Sequence, residues 1–291
     1  MGGKIETTMK EKPENELTEP LKAYKNMEFI NSPDARTIRI LAEFLEPMHR
    51  FKKYNVHDTI VFFGSARTIN LKDAEQKLAE VQERLNLSTQ NAPEPALEEE
   101  LEYAKNQVFL ARYYQDAVEL ARKITEWSKS LNSDHRFVVS SGGGPGMMEA
   151  ANKGALEAGG KSIGLNISLP MEQGSNPYIT PELNFEFHYF FMRKFWLVYL
   201  AKALVILPGG FGTLDELFET LTLIQTEKIK KEIPIVIYGK AYWDEVFNLN
   251  ALVKYGTISK SDLELVRFCD SVDEAFDYLK KELTRVHLSG K

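Results

Sequence analysis

A single cysteine, Cys269, stands in 291 residues, which excludes an internal disulfide framework and any cysteine-rich zinc site. Its apolar setting, VRFCDS, marks it as a small core filler rather than a nucleophile. No stretch approaches the roughly 18 apolar residues of a membrane span, and MGGKIETTMKEKPENELTEP at the N-terminus lacks the apolar centre of a secretory signal. A cytoplasmic protein is expected. The opening Met1-Gly2 fails the myristoylation pattern, because Glu6 occupies the position that needs Ser or Thr. Clustered cations are missing as well. Lys and Arg number 36 against 42 Asp and Glu, a net charge of −6, and no basic run would track a nucleic-acid backbone. No histidine pair at metal-ligand spacing and no Ser-His-Asp spacing occurs, so no metal, no cofactor and no nucleic-acid partner is expected.

What the chain does have is an adequate apolar fraction, 43%, arranged in two rhythms. Residues 1 to about 20 are polar and read as a flexible tail. SPDARTIRILAEFLEPMHRFKKY then places Ile38, Leu41, Phe44 and Leu45 at helical spacing after the cap candidate Ser32. TIVFFGS, from Thr59 to Ser65, is a short aromatic and β-branched run that reads as a first buried strand. Leu71 to about Leu87 and Ala96 to Leu131 have helical composition and are separated at NAPEP by two prolines, which predicts an inserted helical hairpin. Strand and helix signals alternate from there to the C-terminus. The strands are continuously apolar, as when both sheet faces are covered by helices. The fold expected is a doubly wound, mostly parallel, Rossmann-like α/β sandwich. Residues 1–57 would form the tail and an N-terminal amphipathic helix, and 58–291 a single domain with its helical insertion at about 70–112.

Ligands of such folds sit at the carboxyl ends of the strands. Two loops there are rich in glycine, SSGGGPGMME and LPGGFGTLDE. Neither completes GxGxxG, which meets Met147 when counted from Gly142 and Asp215 when counted from Gly210, and no GxxxxGK[ST] is present. Glycines nonetheless let backbone N–H groups approach a ligand, and the following helix adds unpaired N–H groups and a positive dipole end. PGGFGT, with the Thr213 hydroxyl, is therefore a candidate cup for a phosphate monoester. Glu216 has two readings. Thr213-Leu214-Asp215-Glu216 is formally a T-x-x-E capping box, in which Glu216 would close back on the helix start. If Thr213 serves a phosphate instead, Glu216 is a carboxylate available for chemistry at the attached sugar. Arg193 and Lys194 in FMRKFWLVYLAK are either a snorkelling surface pair or cations beside an anionic ligand. His188 in FEFHYF has no neighbour in sequence to orient it as a base.

SGGGPGMMEAANKGA, MRK and PGGFGTLDE, in this order, resemble the Lonely Guy family, the cytokinin riboside monophosphate phosphoribohydrolases and their bacterial purine-nucleotide-cleaving relatives. The similarity spans about residues 58–68 and 113–288. It implies hydrolysis of the N-glycosidic bond of AMP or an N6-modified AMP, with Arg193 and Glu216 as the catalytic pair. It also implies Gly209, Gly210, Gly212 and Thr213 around the phosphate, and Ser65, Gly143, Gly144, Met192 and Lys194 near base and ribose. A homodimer is implied too, with the helix FMRKFWLVYLAK contributing. This sequence departs from the family in reading GGGPGMMEA where many members read GGGxxGLMG, and in its extra N-terminal helix and hairpin. Related proteins often carry a lysine decarboxylase label, yet the His-Lys pair common in pyridoxal-phosphate decarboxylases is lacking here. The alternative from a different class is a non-catalytic carrier of a nucleotide or of molybdenum cofactor, which would need the cup without both Arg193 and Glu216.

Overall fold

The computed structural model describes residues 20–88, 95–131, 137–170 and 174–288. The expected tail, residues 1–19, and most of the NAPEP break lie outside them. Contacts divide the chain into two units, one ending at Ala42 and the other beginning at Glu43.

In the first unit, α1 (Met27–Asn31) is capped by the Asn26 side chain, which accepts from Phe29 N at 3.1 Å. Ser32 precedes a 3-10 turn, Pro33–Ala35, and makes no side-chain cap; the helix expected after it, α2 (Arg36–Lys53), starts one turn later. Arg39 Nη1 donates to the carbonyls of Ile30 and Ser32 and so ties these short pieces together.

The second unit is built on seven parallel strands in the order β4-β3-β2-β1-β5-β6-β7. They are β1 (Asp58–Phe63), β2 (Phe137–Ser141), β3 (Ser162–Ile167), β4 (Asn184–Phe187), β5 (Ala201–Ile206), β6 (Ile235–Tyr238) and β7 (Val266–Cys269). Every residue of β1 and of β6 is buried, as continuous apolar strands require when helices cover both faces. The doubly wound α/β fold read from the sequence is the fold observed. The hairpin is present as α3 (Leu71–Ser88) and α4 (Pro95–Ser130). The second half of α4 packs on the sheet. Ala117, Leu120, Ala121 and Ile124 join Ile60, Phe62, Val139 and Val205 in one core, and α5 (Met147–Glu157) and α10 (Val272–Leu283) complete that layer. Cys269 is 1% exposed within it, and burial raises its thiol pKa to about 11, so it is the inert filler expected.

The other face carries α6 (Phe190–Tyr199) and α7 (Phe211–Gln225), followed in the chain by α8 (Lys240–Val246) and α9 (Leu249–Lys254). Chain order reverses direction between β1 and β5. One half of the sheet grows outward through β2, β3 and β4, the other through β5, β6 and β7. A crevice at the carboxyl ends of β1 and β5 follows from that topology, and it is where open α/β sheets hold ligands.

Candidate functional site

Ser65 is the point where three elements meet. Its N–H donates to Pro208 O after β5 (2.9 Å), and its carbonyl accepts from Met147 N at the start of α5 (3.0 Å). Each glycine loop approaches it closely. A Cβ on Gly209 would stand 3.0 Å from Ser65 N and 2.1 Å from Thr213 Oγ1, and a Cβ on Gly146, whose φ is +72°, would stand 2.3 Å from Ser65 O. Both positions require glycine, the second for its backbone angle as well. The Tyr242 hydroxyl donates to Gly209 O (3.0 Å) and steadies the turn from α8. Beyond it the loop is open. Nothing lies within 4 Å of a Cβ placed on Gly210 or Gly212, and Phe211 is 94% exposed.

The helix start excludes one of the two readings of Glu216. α7 begins at Phe211, with Gly210 as N-cap and no side-chain cap. Thr213 is thus the third residue of the helix and Glu216 the sixth, too far along to close back on the N-terminus. The capping box is therefore not formed. Glu216 turns inward instead: it is 3% exposed and its Oε2 has no hydrogen-bond partner among the described residues. Burial raises its carboxyl pKa to about 7, against the opposing charges of Lys194 and Arg193.

Arg193 and Lys194 project from the first turns of α6, and both lie near this carboxylate. Arg193 is mostly buried; burial lowers its guanidinium pKa, while Glu216 and Asp215 oppose that shift. Its Nη2 would lie 3.4 Å from a Cβ on Gly142, so the guanidinium rests against the SSGGGPGMME loop. Its Nε has no partner among the described residues. Lys194 is not a free surface cation. Its Nζ stands 2.8 Å from Asp215 Oδ2, 2.8 Å from Glu219 Oε2 and 3.6 Å from Glu216 Oε1. A cleft of about 640 Å³ opens beside it, lined by Lys194, Asp215, Phe218, Glu219, Thr222 and Leu223. Of the remaining expected residues, Gly143 and Gly144 lie in the loop against Arg193. Met192 is buried. The exposed His188 ring stacks edge-on against Tyr189.

Several residues that shape the site carry no local sequence signal. Asn176 Nδ2 donates to the carbonyls of Gly143 and Gly144 and to Asn152 Oδ1, each at 3.0 Å. Because the peptide unit is planar and trans, turning the Gly143 carbonyl toward Asn176 sends the Gly144 N–H the opposite way. Ser141 Oγ donates to Asn152 Oδ1 and accepts from Gly143 N, so the loop rests on a buried polar network. Glu43 plays the corresponding part for α6. Its carboxylate accepts from His188 N and Tyr189 N at the helix start. Its carbonyl accepts from Trp196 Nε1 at 3.0 Å. That carbonyl is free because the residue four positions on is Pro47, which has no N–H to offer it.

Fold and site together define a Rossmann-like α/β protein with a glycine-walled cup and a buried Glu-Arg-Lys group at its switch point. Comparison with known proteins narrows this. A family model described as "Possible lysine decarboxylase" matches residues 148–279. The cytokinin riboside 5′-monophosphate phosphoribohydrolase LOG of Oryza sativa subsp. japonica is 30% identical over 158 residues, which cover 54% of this chain and 61% of that protein. Over these residues the chain is similar to the Lonely Guy family, and it spans less than two thirds of that relative's length. Two solved structures share the likeness at low identity. The molybdenum cofactor binding protein of Rippkaea orientalis is 18% identical, with 59% of this chain and 88% of that one covered and a TM-score of 0.43. The molybdenum cofactor carrier protein of Chlamydomonas reinhardtii is 20% identical, with 78% and 99% covered and a TM-score of 0.43. Among the described residues no helix is long and apolar enough to cross a membrane.

Proposed function

We propose that this protein hydrolyses the N-glycosidic bond of a purine nucleoside 5′-monophosphate, AMP or an N6-modified AMP, releasing free base and ribose 5-phosphate. The observation that carries this reading is the buried Glu216 carboxylate. It has one oxygen unpartnered, feels the charge of Arg193, and belongs to the helix that follows the glycine cup, whose start it does not cap.

The phosphate sits in the cup of Gly209, Gly210, Gly212 and Thr213, held by N–H groups at the start of α7 and by the Thr213 hydroxyl. Ribose and base extend past Ser65, Gly143 and Gly144 toward Met192, Arg193 and Lys194. As the bond from C1′ to the base nitrogen breaks, its electron pair leaves with the base and the ribose ring becomes cationic. Water adds to C1′ and gives its proton to Glu216, which releases it to solvent and is regenerated, while the departing base takes up one proton from solvent. A positioned carboxylate contributes roughly 10²- to 10⁴-fold in this role. Arg193 faces the developing negative charge, in surroundings dry enough to strengthen the attraction. The phosphate, remote from the breaking bond, supplies orientation.

A cytoplasmic homodimer without nucleic-acid partners completes the proposal. Exposed Phe190, Phe191, Phe195 and Tyr199 on α6 offer apolar surface for a second copy. A carrier that holds its ligand uncleaved has no need of an unpartnered buried carboxylate. The test is chromatographic release of free base from AMP, GMP, CMP, dAMP and N6-isopentenyl-AMP by the wild type and by Glu216→Ala. Release of adenine or its N6-modified form that vanishes in the variant is expected. Nucleotide binding without release from any of the five would overturn the reading.

A further inference from the structure

The charges around the proposed phosphate cup do not by themselves favour a dianion. Lys194 is occupied by Asp215 and Glu219, and Arg193 faces Glu216 and Asp215. The two cations are thus already matched by three carboxylates, and the cup itself offers only neutral donors. A phosphate monoester brought there needs a cation that the protein has left unspent.

The turn that follows β1 contains one. Ser65 is wedged between Gly209 and Gly146, and two residues further on its hydroxyl accepts from the N–H of Arg67 at 3.1 Å. The Ser65 bond fixes the backbone of Arg67 at the rim where both glycine loops converge, while the residue stays exposed. Its guanidinium makes no ion pair among the described residues, although Arg84, Arg122, Arg267 and Arg285 all pair with carboxylates on the surface. Next to it, Thr68 is 2% exposed and its hydroxyl has no partner among the described residues. The turn therefore holds an unpaired fork of N–H donors and an unsatisfied hydroxyl beside a cup that lacks positive charge.

We infer that Arg67 is the specificity-determining residue for the 5′-phosphate, pairing with its oxygens and thereby selecting the nucleoside monophosphate over the free nucleoside. The inference rests on the proposed hydrolase reading for its substrate, but not on turnover for its test. Arginine suits the task because its planar fork matches two phosphate oxygens at once, whereas lysine offers only a point charge. Being exposed, the contact also weakens as salt screens it.

The experiment compares wild type, Arg67→Ala and Arg67→Lys in two assays, base release from AMP and from adenosine, and calorimetric binding of AMP and adenosine in a Glu216→Gln background. Loss of one bidentate charge-assisted pair predicts AMP affinity and kcat/KM falling about a hundredfold in Arg67→Ala. Adenosine values should change by less than about threefold, and Arg67→Lys should recover part of the AMP preference. Equal losses for AMP and adenosine, or an unchanged ratio between them, would overturn the inference. If the wild type binds AMP but releases no base, the hydrolase reading fails while the calorimetric ratio still decides the role of Arg67.

Discussion

Exchanging Glu216 for glutamine removes a charge that the folded chain holds only at a cost, and the size of that cost follows from the site. The carboxyl ionises at about 7 when folded, because burial disfavours its charge, against 4.5 for an ordinary glutamate. Below pH 4.5 it is protonated in both folded and unfolded chains and costs nothing through ionisation. Between about 4.5 and 7 the unfolded chain releases the proton and the folded one keeps it, so stability falls as pH rises. Above 7 the loss is complete. At 1.36 kcal/mol for each of about 2.5 pH units it comes to about 3 kcal/mol. Glutamine does not titrate, so all other groups cancel in the difference between the two proteins. Urea denaturation of wild type and Glu216→Gln at pH 4.5 and pH 8 measures it. The variant should gain about 3 kcal/mol on the wild type over that interval while losing base release. A stability difference that does not change with pH would refute the burial argument for this carboxylate.

Other outcomes follow from the same geometry. Glu216 accepts a proton only when ionised, so kcat/KM should rise with pH and level off above about 7; a profile flat from pH 5 to 8 would count against its role as base. Gly209→Ala forces a Cβ to 2.1 Å from Thr213 Oγ1 and should abolish AMP binding in calorimetry, whereas Gly210→Ala meets nothing within 4 Å and should bind within severalfold of wild type. Glu43→Ala strips the start of α6 of its acceptor and should cost about 1 kcal/mol in denaturant melts, with a fall in kcat as Arg193 loses its fixed helix. Asn176→Asp replaces donors to the Gly143 and Gly144 carbonyls with a repelling carboxylate, and should raise KM for AMP at least tenfold.

The architecture was legible wherever one local rule sufficed. TIVFF reads as a strand because its residues are apolar, aromatic or β-branched, and it is one; the hairpin reads as two helices because composition and spacing agree over many turns. Glu216 was not settled by local rules. T-x-x-E is a capping box only if the helix begins after Thr213, and two small glycines allow it to begin at Phe211 instead; that start excludes the cap, and the resemblance implies chemistry at Glu216. Glu43, Asn152 and Asn176 were invisible because their partners lie far away in sequence, joined by the fold alone. Glu43 is separated from Trp196 by 153 positions and Asn176 from Gly143 by 33. Pro47 lies inside α2 and has no backbone N–H to donate. In the folded chain the gap it leaves in the hydrogen-bond ladder receives the Trp196 indole.

The most direct test of the central claim is hydrolysis of AMP in oxygen-18 water, with every product identified by mass spectrometry. N-glycosidic cleavage predicts unlabelled adenine and ribose 5-phosphate carrying the heavy oxygen at C1, both lost in Glu216→Ala. Heavy oxygen appearing in inorganic phosphate, with adenosine as the companion product, would mean that the phosphate ester is the bond broken and would contradict the account.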